Sequence, residues 1–398
     1  MNLVKLYTDS FTGLHKDVWS LALIYLVNRS GEMVIPFLSI YLTTQLGFSK
    51  TQSAIVLCCF GIGAIMGSNL GGRLSDKIGN FKVMALSLAG MGVTFISIVF
   101  FTGFYPLCFW MILVGLVASM FSPAAFSAVS MWGNPDNKTR GYSLLRMAIN
   151  LGISIGPALG GFFAFKYGYH WLFVLDGVTC FIALATLFYV LGHRNFKYDK
   201  TKPKVKETSS PYSDGTLLLF LFFNLINMVA FFQILFAVPV YFKEELLMDE
   251  WLIGAFFTAN GLLILFLEMP IVHHIERANK YFKPLAWGAI LIGIAYLSLS
   301  IFDNPIIAII SYSLLVGIGE VINFPLIPSL AMRRSDEHNQ GKYMGVVSMM
   351  FAMAFLLAPI SGLPIIEYIG FEMYWYIAAS FSIVSGLGLW VIRKRFAE

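Results

Sequence analysis

The sequence predicts an all-α membrane protein in which 12 transmembrane helices form two pseudo-symmetric six-helix bundles. The first observation is composition: 58% of the 398 residues are hydrophobic and 12% are charged, whereas soluble domains carry about 25% charged residues. The second is patterning, because twelve apolar segments each reach about 20 residues, the length that crosses a bilayer. The third is a polar stretch that divides these segments six and six. A mean hydropathy of +0.75 excludes a single soluble globule.

The twelve segments follow one another closely along the chain, and we number them helix 1 to helix 12. They run over 18–45, 50–72, 81–102, 104–131, 139–166, 170–191, 214–242, 250–273, 282–302, 305–331, 340–366 and 371–392. Between the sixth and seventh lie five lysines and two prolines, which are typical of a linker. We predict an N-terminal bundle over 1–192, a basic cytoplasmic linker over 193–213 and a C-terminal bundle over 214–398, an arrangement that indicates an internal repeat.

The distribution of Lys and Arg predicts the orientation. If the N-terminus is cytoplasmic, Lys50, Lys166 and Lys243 are the only basic residues in outer loops, while Arg29 and Arg146 lie inside spans. Nearly all of the 27 Lys and Arg residues then lie on the cytoplasmic side, as the positive-inside rule requires. We expect an integral protein of a bacterial plasma (inner) membrane, with both termini in the cytoplasm.

An acidic loop precedes helix 8 and falls on the outer side in this orientation. It contains Glu244, Glu245, Asp249 and Glu250. We expect these side chains to be solvated, and a vestibule that attracts cations is the alternative.

The loop between helix 2 and helix 3 is a short charged turn, G-R-L-S-D-K-I-G-N-F-K, over residues 72–82. Glycines before it allow close approach to a neighbouring helix, and the Asp76 carboxylate can meet a positive helix N-terminus. The pattern G-x-L-S-D-K-x-G-x-x-K resembles the signature loop of the major facilitator superfamily. That resemblance implies a latch against helix 11 that governs opening of the cytoplasmic side; an ordinary charged turn is the alternative. The implied gating residues are Gly72, Arg73, Asp76, Lys77 and Gly79.

Helix 5 carries a second motif, N-L-G-I-S-I-G-P-A-L-G-G, over residues 150–161. Proline removes a backbone hydrogen bond and bends a helix, and glycines beside it allow close packing. The motif resembles the GxxxGPxxGG sequence of drug/proton antiporters of the same superfamily. The resemblance implies that Gly156, Pro157 and Gly160 pack helix 5 against the other half of the molecule and seal a resting state. A plain kinked helix is the alternative.

Two helices carry charged residues deep in the membrane, where an ionisable group costs about 2.5–3.5 kcal/mol. Arg29 lies about 15 Å along helix 1 from Trp19, near the bilayer centre, and Glu32 follows one turn later on the same face. They form either a functional site or a structural ion pair. Glu320 lies about 20 Å before Arg333 in helix 10, and a lone carboxylate at that depth suits a proton carrier.

Other residues are weaker candidates for substrate or proton binding. Glu268 either joins the site or pairs at the cytoplasmic end of helix 8, and Arg146 serves either the cavity or the Asp76 loop. Asp176 is expected to make an outer structural contact. Polar side chains could also line a central cavity between the halves, as transporter sites do. The polar candidates are Tyr25, Tyr41, Asn224, Asn227, Gln233, Asn260 and Asn323.

These features favour a proton-coupled secondary active transporter that works by alternating access. The helix 5 motif favours export of drug-like or amphipathic small molecules in exchange for protons. The alternative is a proton-coupled symporter that imports small zwitterions such as di- or tripeptides. Helix 1 resembles the helix of peptide transporters that carries E-x-x-E-R-F, with Arg29 matching the arginine and Asn28 replacing the glutamate before it, and Glu320 matches their helix 10 glutamate. A receptor-like or scaffolding membrane protein is a third reading, which the intramembrane charges disfavour.

Enzymatic function is excluded because no nucleophile–base set, nucleotide-binding loop or metal-ligand cluster occurs in the sequence. We expect no cofactor and a proton gradient as the energy source. The expected partners are a small-molecule substrate, protons and the lipid bilayer, without nucleic acid, and the protein is expected to be a monomer. The four cysteines lie in apolar runs and are expected to be core residues rather than disulfides.

Overall fold

The computed structural model describes residues 14–132, 138–192, 211–278, 280–302, 304–334 and 340–396. Among these residues the regular structure is helical and no strand occurs. Within the same ranges, 12 helical spans are long and apolar enough to cross a membrane. The predicted fold class is therefore confirmed.

The first six helices end close to their predicted positions, except that two of them are interrupted. Helix 1 consists of Lys16–Ser30, Val34–Ile40 and a π-helical turn, Tyr41–Gln45, and helix 4 of Phe104–Ser119 and Phe121–Trp132. The others are Lys50–Ile78 (helix 2), Asn80–Ser97 with Ile98–Phe100 (helix 3), Lys138–Tyr167 (helix 5) and His170–Leu191 (helix 6).

The last six helices show two further interruptions. Helix 7 consists of Gly215–Phe231 and Gln233–Glu244, and helix 10 of Pro305–Asn323 and Leu326–Met332. The others are Glu250–Ala278 (helix 8), Phe282–Ile301 (helix 9), Gln340–Ile369 (helix 11) and Phe371–Phe396 (helix 12).

Prolines explain the breaks in helix 1 and helix 10. The ring of a proline clashes with the carbonyl group four residues earlier, which kinks a helix or breaks it near that point. Pro36 lies four residues after Glu32, and Pro328 lies four residues after Phe324. The first segment of helix 1 ends at Ser30 and that of helix 10 at Asn323, so each break falls within two residues of the blocked carbonyl.

The chain forms two compact units, which we describe separately. The first comprises Met1–Phe37, Cys59–Lys200 and Asp249–Thr258, and the second comprises the remaining residues. These units differ from the predicted bundles, because the end of helix 1 and the first part of helix 2 belong to the second unit, and the start of helix 8 to the first. Most of the predicted linker, residues 193–210, lies outside the described residues.

Glycines let helix 2 pack closely on helix 4 inside the first unit. A Cβ atom on Gly63 or Gly67 would lie 2.0 Å from the carbonyl oxygen of Ile112 or Leu116, respectively. Such backbone contact is how helices associate in lipid, where the hydrophobic effect provides no drive between them. The close approach that the glycines predicted is thus made with helix 4, whereas a Cβ on Gly72 would meet open space.

Candidate functional site

The first candidate site is the ion pair on helix 1. The Arg29 guanidinium pairs directly with the Glu32 carboxylate, and its second nitrogen donates to the Ser122 hydroxyl at 3.3 Å. The Tyr25 ring lies 5.5 Å below the guanidinium, and its hydroxyl donates to Ser122 at 2.8 Å. The predicted pair therefore exists, and its charge is neutralised internally. Ser122, which sequence reasoning missed, connects Arg29 to Tyr25.

Helix 5 packs against this pair through the glycines of its motif. A Cβ on Gly152 would lie 2.5 Å from Arg29 Cβ, and one on Gly156 would lie 3.1 Å from the Glu32 carbonyl oxygen. A Cβ on Gly160 would lie 2.9 Å from Met33 Cβ. Gly156 and Gly160, which we expected to face the other half of the molecule, thus face helix 1 in their own unit.

Pro157 and Gly161 make the contact that the helix 5 motif predicted, namely one with a helix from the second half of the sequence. A Cβ on Gly254 of helix 8 would lie 2.3 Å from the Pro157 carbonyl oxygen, and one on Gly161 would lie 2.4 Å from the Glu250 carbonyl oxygen. This mutual backbone contact explains why residues 249–258 belong to the first unit.

Glu250 and Glu244 of the acidic loop are not simply solvated. Glu250 is only 8% exposed, and its carboxylate accepts a 2.7 Å hydrogen bond from the Tyr169 hydroxyl. In the second unit, the Glu244 carboxylate pairs with Lys50 at 2.7 Å. The expectation of a solvated loop is therefore wrong for Glu250, because a single sequence does not reveal the tyrosine that buries it.

The second candidate site joins helices 8 and 10 in the second unit. The Asn260 side chain, 6% exposed, lies close enough to the Glu320 carboxylate to interact with it, and Glu268 acts on Glu320 electrostatically. Gly317 makes room for Asn260, since a Cβ there would lie 2.7 Å from the amide oxygen. That amide oxygen has no hydrogen-bond partner. Glu268, which the sequence left between two roles, thus lies beside Glu320.

The chemistry of this second site differs from that of an ion pair. Within the described part of the chain, no ion pair involves Glu320. Two carboxylates that repel each other are relieved by a proton or a bound cation. Among the described residues, no group of three or more His, Cys, Asp or Glu side chains could hold a metal ion.

Asn227 and Asn323 occupy a different environment from the one predicted. Both are completely buried, the Asn227 amide donates to the Asn323 oxygen at 3.3 Å, and the Asn323 amide donates to the Leu285 carbonyl at 2.9 Å. They connect helices 7, 9 and 10 by hydrogen bonds. Their amides therefore support helix packing in this structure, and their role in substrate binding stays a prediction. Tyr25 is buried as well and reaches the first site only through Arg29 and Ser122.

The loop between helices 2 and 3 has the backbone that its signature requires. Gly79 has φ of +89°, a conformation that favours glycine, and it separates helix 2 from helix 3. Arg73 and Lys77 are exposed. The side chains of Asp76 and Arg146 lie outside the described residues, so the latch and the role of Arg146 stay predictions.

Comparisons with known proteins agree with this architecture. The model of the major facilitator superfamily matches residues 19–359 and 283–398. The chain is 23% identical to a Na(+), Li(+), K(+)/H(+) antiporter of Planococcus maritimus, with 92% of this chain and 93% of the relative covered. It is 24% identical to the quinolone resistance protein NorA of Staphylococcus aureus (strain COL), with 85% and 86% covered.

A solved structure shares the fold at lower sequence identity. A POT family transporter in complex with 5-aminolevulinic acid superposes with a TM-score of 0.83 at 16% identity, with 98% of both chains covered. At this identity the likeness establishes the fold alone. The relatives and this structure are transporters rather than enzymes. The family match over most of the chain, together with the 12 spans, shows that the protein belongs to the major facilitator superfamily of membrane transporters.

Proposed function

We propose that the protein is a proton-coupled secondary active transporter that exports drug-like or amphipathic small molecules in exchange for protons. It works by alternating access in a bacterial plasma membrane, with both termini in the cytoplasm. The observation that carries the proposal is Glu320, a carboxylate on a membrane-spanning helix. Its contacts are a neutral amide, Asn260, and a like charge, Glu268, and no ion pair involves it in the described residues.

The mechanism is competition for negative charge at this site. With Glu320 ionised, the site favours a substrate that carries a positive group, because the membrane penalises uncompensated charge. A proton that enters from the outer side neutralises Glu320 and weakens the hold on the substrate, which then leaves. Loss of the proton to the cytoplasm restores the site. The Asn260 amide interacts favourably with the ionised carboxylate and so stabilises the substrate-binding form.

Two further observations support exchange rather than symport. The relatives named above include a cation/proton antiporter and a quinolone resistance protein. Helix 5 carries the antiporter-like motif, and its Pro157 and Gly161 contact helix 8 through backbone atoms. Because these are contacts between backbone atoms, no side chains interlock across them, and any added side chain would disrupt the packing. Such a surface suits helices that must come together and separate during transport.

Proton-coupled import of zwitterions is the second candidate, and one observation favours it. Arg29 Nε is buried without a hydrogen-bond partner, so the guanidinium keeps a donor available for a substrate carboxylate. For this to happen Glu32 must release Arg29, because its carboxylate already occupies one edge of the guanidinium. Because the Arg29–Glu32 pair is intact in this structure, import of zwitterions ranks below export.

Transport by proteoliposomes under an imposed pH gradient distinguishes the two functions. We expect tetraphenylphosphonium to move against the proton flux and a dipeptide not to accumulate. Glu320→Gln should abolish the exchange, whereas Glu372→Gln, which removes an exposed carboxylate at the start of helix 12, should leave it intact. Accumulation of the dipeptide along the inward proton gradient would favour the importer, and exchange that ignores the pH gradient would exclude proton coupling.

A further inference from the structure

The break in helix 1 is capped by an acidic residue of helix 6. Asp176 is 2% exposed, and its two carboxylate oxygens accept hydrogen bonds from the backbone N–H groups of Met33 at 3.0 Å and Val34 at 3.2 Å. The sequence predicted an outer structural contact for Asp176, without its partner. The structure places it at the start of the second segment of helix 1, next to the residue that neutralises Arg29.

These two N–H groups need a partner because the break removes the carbonyls that a continuous helix would supply. In a membrane no bulk water replaces them, and each unsatisfied group costs several kcal/mol. Met33 also reaches the Gly31 carbonyl at 2.6 Å, whereas Val34 depends on Asp176. Pro36, in the first turn of the segment, has no N–H to satisfy. Asp176 is therefore the principal anchor for the start of this segment.

The contact extends along one turn of helix 6. A Cβ on Gly31 would lie 1.8 Å from the Thr179 hydroxyl oxygen, so the break passes directly over helix 6. The Asn28 amide lies 3.7 Å from the Cys180 sulfur. On the other side, Gly156 of helix 5 approaches the Glu32 carbonyl. The backbone of Glu32 is thus held between helices 5 and 6.

The two members of the ion pair are anchored differently. Arg29 belongs to the first segment of helix 1 and has contacts of its own with Ser122 and with the Tyr25 ring. Glu32 lies in the break, and its described side-chain partner is Arg29. A shift of the second segment would therefore move Glu32 away while Arg29 stays in place, leaving a positive charge in the membrane.

We propose that Asp176 is a positioning residue that determines charge selectivity. By capping the second segment of helix 1, it holds Glu32 against Arg29, keeps the guanidinium charge paired and so disfavours anionic substrates. Asp176 touches neither the substrate nor the guanidinium in this account. The proposal needs only that the protein binds small hydrophobic ions, and it is independent of proton coupling.

The test compares two probe ions of the same shape and opposite charge, tetraphenylphosphonium and tetraphenylborate. Their equilibrium binding to the full-length protein in lipid nanodiscs is measured without a pH gradient, with protein-free nanodiscs subtracted. We expect the wild type to prefer the cation. Asp176→Asn should lower the cation-to-anion affinity ratio by about threefold or more, the lower range for residues coupled in one network, and Glu32→Gln should do the same.

Coupling through Glu32 predicts that the double variant D176N/E32Q shifts the ratio no further than E32Q alone. If Asp176→Asn does not fold, Asp176→Glu replaces it in the test. This variant keeps the charge but moves the carboxylate oxygens by one methylene group, so it should shift the ratio in the same direction by a smaller amount. Thr186→Val, which removes an exposed hydroxyl bonded to the Ile182 carbonyl on the same helix, should leave the ratio unchanged. Three results would overturn the proposal. They are additive shifts in the double variant, an unchanged affinity ratio in both Asp176 variants, and equal affinity of the wild type for the two ions.

Discussion

The two candidate sites solve the problem of charge in a membrane in opposite ways. On helix 1, Arg29 and Glu32 neutralise each other and are supported by Ser122 and Tyr25. Glu320 of helix 10 and Glu268 of helix 8 carry charges of the same sign. The other side chain that acts on Glu320 is the neutral amide of Asn260. An isolated charge at the centre of a bilayer costs about 2.5–3.5 kcal/mol. The first site avoids that cost with its own residues, whereas Glu320 takes part in no ion pair among the described residues.

This difference leads us to expect a structural role for the Arg29–Glu32 pair and exchange of a proton at Glu320. A pair that is already neutral gains little from binding a proton, so its protonation is not expected to drive a conformational change. Two like charges change their energy whenever a proton or a cation arrives. We therefore expect proton coupling to reside in the second unit and expect the pair on helix 1 to affect stability and charge selectivity.

The largest expected effect is that of Glu320→Gln. The amide keeps the shape of the side chain but cannot release a proton, so proton-driven transport should fall by about a hundredfold or more, as for other lost proton-transfer groups. Initial rates in proteoliposomes measure this. Substrate exchange without a pH gradient should weaken as well, because the amide resembles the protonated carboxyl that releases the substrate, and a variant that still responds fully to the gradient would contradict the role of Glu320.

The next largest effect is the loss of stability in Arg29→Ala, which leaves Glu32 unpaired. We expect a cost of about 2–3 kcal/mol, below the 3–5 kcal/mol of a fully buried pair, because the two side chains remain partly exposed. Unfolding in detergent with increasing denaturant measures it. Replacing both residues by alanine should restore part of the loss. A double variant less stable than Arg29→Ala would show that Glu32 has another essential partner.

A smaller effect is expected for Glu268→Gln, which removes the like charge beside Glu320. The remaining carboxylate can still exchange a proton, so transport should fall only several-fold across the pH range. Initial rates between pH 5 and 9 test this. A profile that matches the wild type would place Glu268 outside the exchange site.

The smallest effect concerns an ion pair outside the membrane spans, between Asp214 and Arg334. Burial raises the pKa of the Asp214 carboxyl, but hydrogen bonds from Arg334 and from the Leu217 and Thr216 amides outweigh it and hold the pKa below its usual value. The stabilisation is thus present above the unfolded pKa, about 3.9, and is lost as the pH falls through the folded pKa.

Asp214→Asn should therefore reduce the free energy of unfolding at pH 7 by about 1 kcal/mol or less, as for other partly exposed pairs. The melting temperature should fall slightly as a result. Thermal unfolding at a series of pH values should show the difference from the wild type disappearing in acid. Transport should be unaffected, which separates this pair from both intramembrane sites. A difference that persists at low pH would mean that the carboxylate contributes something besides its charge.

Much of the fold could be predicted from the sequence because its signals are local. Twelve apolar runs, the basic linker and the G-x-L-S-D-K-x-G turn each depend on neighbouring residues, and the boundaries of the helices moved by only a few positions. The break in helix 1 was also encoded locally, since Gly31 and Pro36 both lie within the predicted span. The interruption was not predicted because hydropathy alone does not register it.

The candidate sites were predictable only in part, because their partners are distant in sequence. Arg29 with Glu32 could be paired from helical spacing. The neighbours of Glu320 could not, since Asn260 and Glu268 lie on another helix. Likewise, the 3.6-residue period puts Gly156 and Gly160 on one face of helix 5, but it does not say which helix that face meets. Asp176 gave no signal beyond being a charge inside an apolar segment.

Proton release upon substrate binding tests the central claim most directly. The purified protein is titrated with tetraphenylphosphonium in weakly buffered detergent solution near pH 7, and a pH indicator records the protons released. We predict that the wild type and Glu32→Gln release protons and that Glu320→Gln releases none. Undiminished release by Glu320→Gln, or loss of release in Glu32→Gln alone, would contradict the assignment of proton exchange to the carboxylates of helices 8 and 10.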